Sequence, residues 1–208
     1  MALLQAQRGI QNNPASANPF TLRGGAGGDL MVSEYHGRYY QTTQDGLGFS
    51  VASQAVATTT VGLALTYTGL VLVNPLTSSA NLVLNKASFM QSVIQSVQPE
   101  AFALAYGFNS TTAVTLTTPA TPQPNKIGSS AVAQAKAATA ATLPTAPLYG
   151  TFMGNTPSAT TDANGGVIDL EGSIILPPGA YACWVTPAQA SVAGMWFSFS
   201  WEEVPTGN

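Results

Sequence analysis

Residues 195–201 read Met-Trp-Phe-Ser-Phe-Ser-Trp. On a β-strand, side chains two apart share a face. Phe197, Phe199 and Trp201 therefore project together, opposite Trp196, Ser198 and Ser200. A face with that much aromatic surface has to be covered by another layer of structure. The run at 180–185 also has strand character, follows Pro177-Pro178-Gly179 and is separated from the second run by a loop of small residues. All three tryptophans, Trp184, Trp196 and Trp201, lie in this stretch. It predicts two closing strands that seal a β-sandwich, with the earlier strands packed against them.

The surface of that sandwich is unusual in charge. Only 7% of the 208 residues are charged, against about 25% in ordinary soluble domains. Ser, Thr, Asn, Gln and Gly must form most of the surface, which leaves little charge repulsion between molecules. The composition favours a chain that assembles with neighbours over a monomer with a Thr/Ser surface. The basic residues Arg8, Arg23, Arg38, Lys86, Lys126 and Lys136 are scattered and the net charge is −3. Phosphate recognition needs a cluster of cations, so nucleic-acid binding is not expected. One cysteine, Cys183, excludes an intrachain disulfide and reads as a buried, inert thiol. The longest apolar run, residues 61–73, is broken by Gly62, Thr66, Thr68 and Gly69. It falls short of the ~20 apolar residues a spanning helix requires. The N-terminus lacks the charged segment and apolar core of a secretory signal.

Residues 1–42 read as an arm with a docking segment. Asn13-Pro14, Asn18-Pro19 and the run of glycines at 24–28 break regular structure. Residues 29–42 then crowd Leu30, Tyr35, His36, Arg38, Tyr39 and Tyr40 together. Tyr and Arg combine apolar area with a polar tip and commonly anchor interfaces, so these six are the candidate docking residues. Some of the tyrosines are expected to pack instead on the domain's own sheet.

Residues 43–208 read as the sandwich. Strands are predicted at 47–51, 81–90, 101–108, 149–153 and 167–176, besides the two closing runs. Residues 58–66 and 70–74 form either a hairpin turning at 67–69 or one strand with a Gly-marked bulge. Leu82, Leu84 and Lys86 are expected on one face, and Phe102, Leu104 and Tyr106 on another. Asp169 and Glu171 share a face opposite Ile168 and Leu170, the pattern of a half-exposed strand. Residues 109–148 are an excursion rich in Pro, Thr and Ala that cannot supply its own core. Within it the alanines of 129–142 predict a short helix. The loop at 155–166 reads as an Asn-Gly turn, since it lacks the further acidic ligands of a calcium loop. About eight or nine short strands with almost no helix predict an all-β fold: an antiparallel two-sheet sandwich. The length and the missing Cys-Trp-Cys pattern favour a jelly roll over an immunoglobulin domain.

No catalytic set stands out. His36 and Cys183 are distant in sequence, and no cluster of His and Cys has the makings of a zinc site. Glycoside chemistry needs two carboxylates flanking the bond, but Asp169 and Glu171 read first as solvated strand residues. Glu202 and Glu203 point to opposite faces of a continued strand, or one of them pairs with a lone Lys or Arg. The glycines at 24–28 have neither a preceding strand nor a following Lys-Ser/Thr, so they do not make a phosphate loop. The expectation is a non-enzyme without a cofactor.

Three segments carry a family resemblance: GGDLMVSEYHGRYYQTTQDG, LVLVNPLTSSANLVLNKASF and LPPGAYACWVTPAQASVAGMWFSFSWEEVP. Asn74-Pro75 followed by a Ser/Thr loop and the strand Asn81–Leu84, and the ending Trp201 to Pro205, are part of it. Together they resemble structural proteins of tailed bacteriophages, of the small jelly-roll kind attached to the virion. The resemblance covers most of the chain outside the arm and the excursion. It implies a capsid decoration or cement protein, located in the virion after assembly in the host cytoplasm. The implied partner is the major capsid protein or another virion protein, reached through the N-terminal segment. A homotrimer is the expected assembly, with neither nucleic acid nor membrane as partner. The alternative it implies is a tail, fibre or spike component with a host-receptor or glycan-binding role. Sugar sites set exposed aromatics beside carboxylates, so that alternative points to Trp184, Trp196, Asp169 and Glu171.

Overall fold

The computed structural model describes residues 5–6, 20–21, 37–56, 62–93, 101–154, 165–187 and 194–206. The chain divides into two units, Met1–Arg38 and Tyr39–Asn208. In the first, β1 (Gln5–Ala6) pairs antiparallel with β2 (Phe20–Thr21). The second begins with a one-turn helix, α1 (Tyr40–Gln44), followed by β3 (Gly48–Ala52), β4 (Thr66–Val73), β5 (Ala80–Val93) and β6 (Ala101–Phe108). Then come β7 (Thr115–Ala120), β8 (Gln123–Pro124) and β9 (Lys136–Thr142). The chain closes with β10 (Leu148–Gly154), β11 (Gly165–Leu176), β12 (Ala180–Val185) and β13 (Gly194–Pro205).

Two antiparallel sheets face each other, in the orders β10-β6-β12-β4-β9-β7 and β11-β5-β13-β3-β8. The pairings are nested: β6 with β10, β5 with β11, β4 with β12 and β3 with β13. The chain is thus a long hairpin folded back on itself, its strands passing alternately to the two sheets. That is a jelly roll. The excursion interrupts the hairpin at its tip, between β6 and β10. It returns to the far side of the sandwich, where β9 and β7 extend the sheet beyond β4 and β8 extends the other beyond β3.

Alternation along β13 does what the sequence predicts. Met195, Phe197, Phe199 and Trp201 are buried, while Trp196, Ser198 and Ser200 are partly exposed. β12 lies in the opposite sheet and sends Trp184 across the interior. The indole stacks on Phe197 and Phe199, with centroids 6.0 and 6.4 Å away, and meets Phe89 at 5.4 Å. Phe49 stacks on Trp201 and Phe89 on Phe102. The six-stranded sheet offers Ala137, Ala180 and Ala182 to the same core, so large rings meet small side chains there.

The central strands of the six-stranded sheet are buried on both faces. Every residue of β12 is buried, which explains why its sequence lacks alternation. Tyr67, Val71, Val73, Ala103, Ala105, Tyr181, Cys183 and Val185 form a second apolar layer on the outer face. Two tyrosines roof it. Tyr67 Oη donates to the carbonyls of Trp184 (2.6 Å) and Leu70 (3.0 Å), and Tyr181 Oη donates to that of Thr145. Each ring lies where a glycine leaves room: a Cβ at Gly69 would meet Tyr67, and one at Gly107 would run into Tyr181. Tyr106 covers Gly150 in the same way.

Three local expectations change. The Ala-rich stretch forms β9 and not a helix, because Ala137, Ala138 and Ala141 fill narrow places against the two cores, and tertiary packing overrides helix propensity. Lys86 does not share a face with Leu82 and Leu84. The pairing of β13 passes from Trp201↔Leu84 to Ser200↔Lys86, so Asn85 is an extra residue and the parity of β5 flips beyond it. Asp169 and Glu171 do not sit together on a regular strand: the β11–β5 register breaks between Asp169 and Ile174, and Glu171 has a φ of 48°. Of the two alternatives around Gly69, the structure takes the bulge, inside β4 between Thr68 and Val71.

Gly107→Ala is expected to lower stability by about 1–3 kcal/mol through overpacking under Tyr181, read as a shift in the urea midpoint. Combining it with Tyr181→Leu should cost less than the sum of the two single changes. Additive losses would show that the ring does not depend on the glycine.

Candidate functional site

The described part of the predicted docking segment leads into one end of the sandwich. Arg38 is exposed, Tyr39 is half-buried, and Tyr40 opens α1 with 47% of its surface exposed. Leu30, Tyr35 and His36 lie outside the described residues. The helix has no side-chain N-cap, and its last turn is closed by Gln41 Nε2 donating to the Asp45 carboxylate at 2.9 and 3.0 Å.

Around α1 the excursion supplies a second wall. Lys126 Nζ donates to the Gln44 carbonyl at 3.4 Å, and Asn125 N donates to that of Gly48 at 2.9 Å. A Cβ on Gly46 would touch Ala131. This wall carries Ile127, 93% exposed, and Val132, 83% exposed. Leu47 and Val204 are exposed at the same end, where Glu203 N donates to the Leu47 carbonyl. Tyr40, Leu47, Ile127, Val132 and Val204 thus each carry exposed apolar surface near this end.

Glu203 holds the end together. Its side chain is buried, and its oxygens accept the backbone N–H groups of Gln134 and Ala135, each at 2.9 Å. The Trp201 indole N–H approaches at 3.4 Å. A buried carboxylate is tolerated only when such donors replace water. Its partners are backbone groups and not the lone Lys or Arg considered from sequence. Nothing in the sequence marks residues 134–135 as its partners, because they are far away in the chain and their donors are main-chain atoms. Ile127 carries a weak sequence signal: it is a single large aliphatic residue in a run of Pro, Asn, Lys, Gly and Ser, with no strand for its side chain to serve.

The candidate sugar residues separate. Trp184 is wholly buried in the sandwich core, so it cannot touch a ligand; its aromatic mass is used for joining the sheets. Trp196 is partly exposed on the outer face of β13. Asp169 pairs with Lys86 at 3.0 Å on the same sheet. That ion pair holds the Lys86 ammonium above its ordinary pKa, first through the Asp169 hydrogen bond and charge, with smaller help from Tyr39 and Glu171.

Cys183 is fully buried, and desolvation pushes its thiol far above the ordinary range. A thiol kept neutral is a poor nucleophile. Among the described residues no three His, Cys, Asp or Glu side chains gather as metal ligands, and no helix is long and apolar enough to cross a membrane.

No family model, curated protein or solved structure matches the chain.

Two measurements test these assignments. Glu203→Ala leaves one buried and one partly buried donor unpaired and should cost on the order of 2 kcal/mol, with new proteolytic cleavage between residues 125 and 135. Unchanged stability would mean that water replaces the carboxylate. Cys183 should react with a disulfide reagent only as fast as the domain unfolds, so its labelling rate should rise with urea in step with global unfolding; rapid labelling of the native protein would contradict its burial.

Proposed function

We propose that this chain is a non-enzymatic structural protein of a bacteriophage virion, a capsid decoration or cement protein that docks on the shell. The observation that carries the reading is the bare apolar end around α1. It stands where the second unit begins, next to the segment that the sequence marks for docking. Tyr40, Leu47, Ile127, Val132 and Val204 would be covered by the major capsid protein or another virion protein. Tyr39 supplies a polar tip at its edge. Affinity comes from burying these side chains, and many equivalent sites on a shell add their stabilisation by mass action.

The low charge supports close packing among copies, and a homotrimer with jelly rolls side by side is the assembly proposed. Open edge strands are natural places for such contacts, and β10 and β11 end their sheets with Leu148, Phe152, Val167 and Ile175 exposed. Neither nucleic acid nor membrane is proposed as a partner. A tail, fibre or spike position is the alternative, and copy number separates the two: hundreds of copies per particle for a decoration protein, tens or fewer for a tail part.

The test is binding to particles that lack the protein. Deleting residues 1–38 should leave a cooperatively folding domain that no longer binds fully. Ile127→Ser combined with Val132→Ser in the full chain should weaken binding about tenfold or more without lowering stability, since both residues are exposed. Wild-type binding by both variants would overturn the docking proposal.

A further inference from the structure

The outer face of the five-stranded sheet holds a second feature, independent of the α1 end. Its centre is a trough of about 570 Å³ floored by Ser50, Ser88, Ser198 and Ser200. The serines fall in adjacent cross-strand rows: Ser198 pairs with Ser88 on β5, and Ser200 pairs with Ser50 on β3. Ser88 Oγ and Ser198 Oγ are hydrogen-bonded at 2.6 Å. Gln54, Thr121 and Gln123 stand along one side. Lys86 and Val167 stand along the other, with the Lys86 charge already paired by Asp169. Trp196 and Met90 form the next row beyond the serines on the same face.

A face meant only for water would not need this composition. Thr and Val suit a pleated surface better, and this chain uses Thr freely on β7 and β9. Four small side chains at the middle of the sheet instead keep the floor low, while longer residues rise at its margins. The concavity continues past the side of the sandwich: Gln54, Thr121 and Gln123 also line a neighbouring hollow of about 760 Å³ with Thr68, Thr118 and Thr139. The lining thus sets hydroxyls and amides among apolar groups such as Val56, Pro119 and Val167, and its one charged side chain, Lys86, is paired by Asp169.

We infer that this trough binds a neutral oligosaccharide chain lying across β3, β13 and β5. Hydroxyl and amide side chains both donate and accept, as sugar hydroxyls do. The serines sit on a central strand and its neighbours and have little rotamer freedom to lose, so the site is preorganised. Trp196, partly exposed one row beyond the serines on the same face, is the nearest aromatic that could meet a sugar ring. Asp169 pairs with Lys86 and leaves no free cation for an acidic polymer. The volume is within the range of small-ligand sites, and the open ends suit a segment of a longer chain. The inference does not depend on whether the protein sits on a head or a tail.

The experiment is amide-resolved NMR titration of the full chain with maltohexaose, cellohexaose and mannohexaose, and with hexagalacturonate as the acidic counterpart. At least one neutral hexaose should give saturable shifts at residues 50, 88, 198 and 200 below about 10 mM, tenfold weaker than a millimolar complex. Ser200→Leu raises the floor and should weaken that binding at least about tenfold. Trp196→Ala should weaken it while leaving the melting temperature near wild type. Ser200→Thr, a milder filling, keeps the hydroxyl and gives an intermediate result if Ser200→Leu fails to fold. No shift with any neutral hexaose, binding unaffected by filling the floor, or binding of hexagalacturonate alone would each overturn the inference.

Discussion

The contact of Trp184 with Phe197 and Phe199 holds the architecture together. It joins β12 of one sheet to β13 of the other, at the middle of both. Dispersion and burial at such a contact are large because a ring offers area on both faces. Once β12 and β13 are fixed across the core, the other strands have defined places: β4 and β6 flank β12, while β3 and β5 flank β13. The nested pairing of the jelly roll follows from that geometry. With so few charges in the chain, little else selects among alternative sandwiches, so shape at this aromatic centre carries much of the specificity.

Burial of the six-stranded sheet on its second face is the other organising constraint. A sandwich ordinarily leaves its outer faces wet. Here Tyr67 and Tyr181 lie over glycines and close the outer layer with their hydroxyls on main-chain carbonyls. The arrangement leaves one outer face apolar and sealed and the other polar and open. The two outer faces of the molecule therefore differ in chemistry, one closed by tyrosines and the other lined by serines.

Much of the fold was legible because alternation survives in β13 and in part of β5, where one face meets the core and the other meets solvent. The inward Phe197, Phe199 and Trp201 follow directly from that period. Legibility failed where packing was two-sided or the strand irregular. β9 is rich in alanine because it lies between cores, and alanine alone reads as helix. The parity of β5 changes at Asn85, and β11 loses its register after Asp169, since a bulge leaves no mark in a hydrophobic pattern. For the candidate site, the crowded tyrosines and arginine of the sequence lie only partly within the described residues, where Tyr39 and Tyr40 stand at the start of α1. Ile127 left only a faint signal, and Val132 and the Glu203 contacts remained hidden, since distant segments of chain meet there. Trp184 misled as a ligand residue: composition cannot distinguish an exposed indole from one buried between sheets.

The grip of Glu203 on residues 134 and 135 also sets an order of completion. Nested pairs close from the inside outward, because β6 and β10 are separated by a far shorter loop than β3 and β13, and loop closure costs more as the intervening chain grows. β3, α1 and the wall bearing Ile127 all wait for β13, which pairs with β3 and carries Glu203. A stalled or shortened chain can build the inner hairpins, yet it has no finished α1 end to offer. In such a molecule the finished α1 end and the closed sandwich are one condition, because the segment at 134–135 is held only once β13 has brought Glu203 into place.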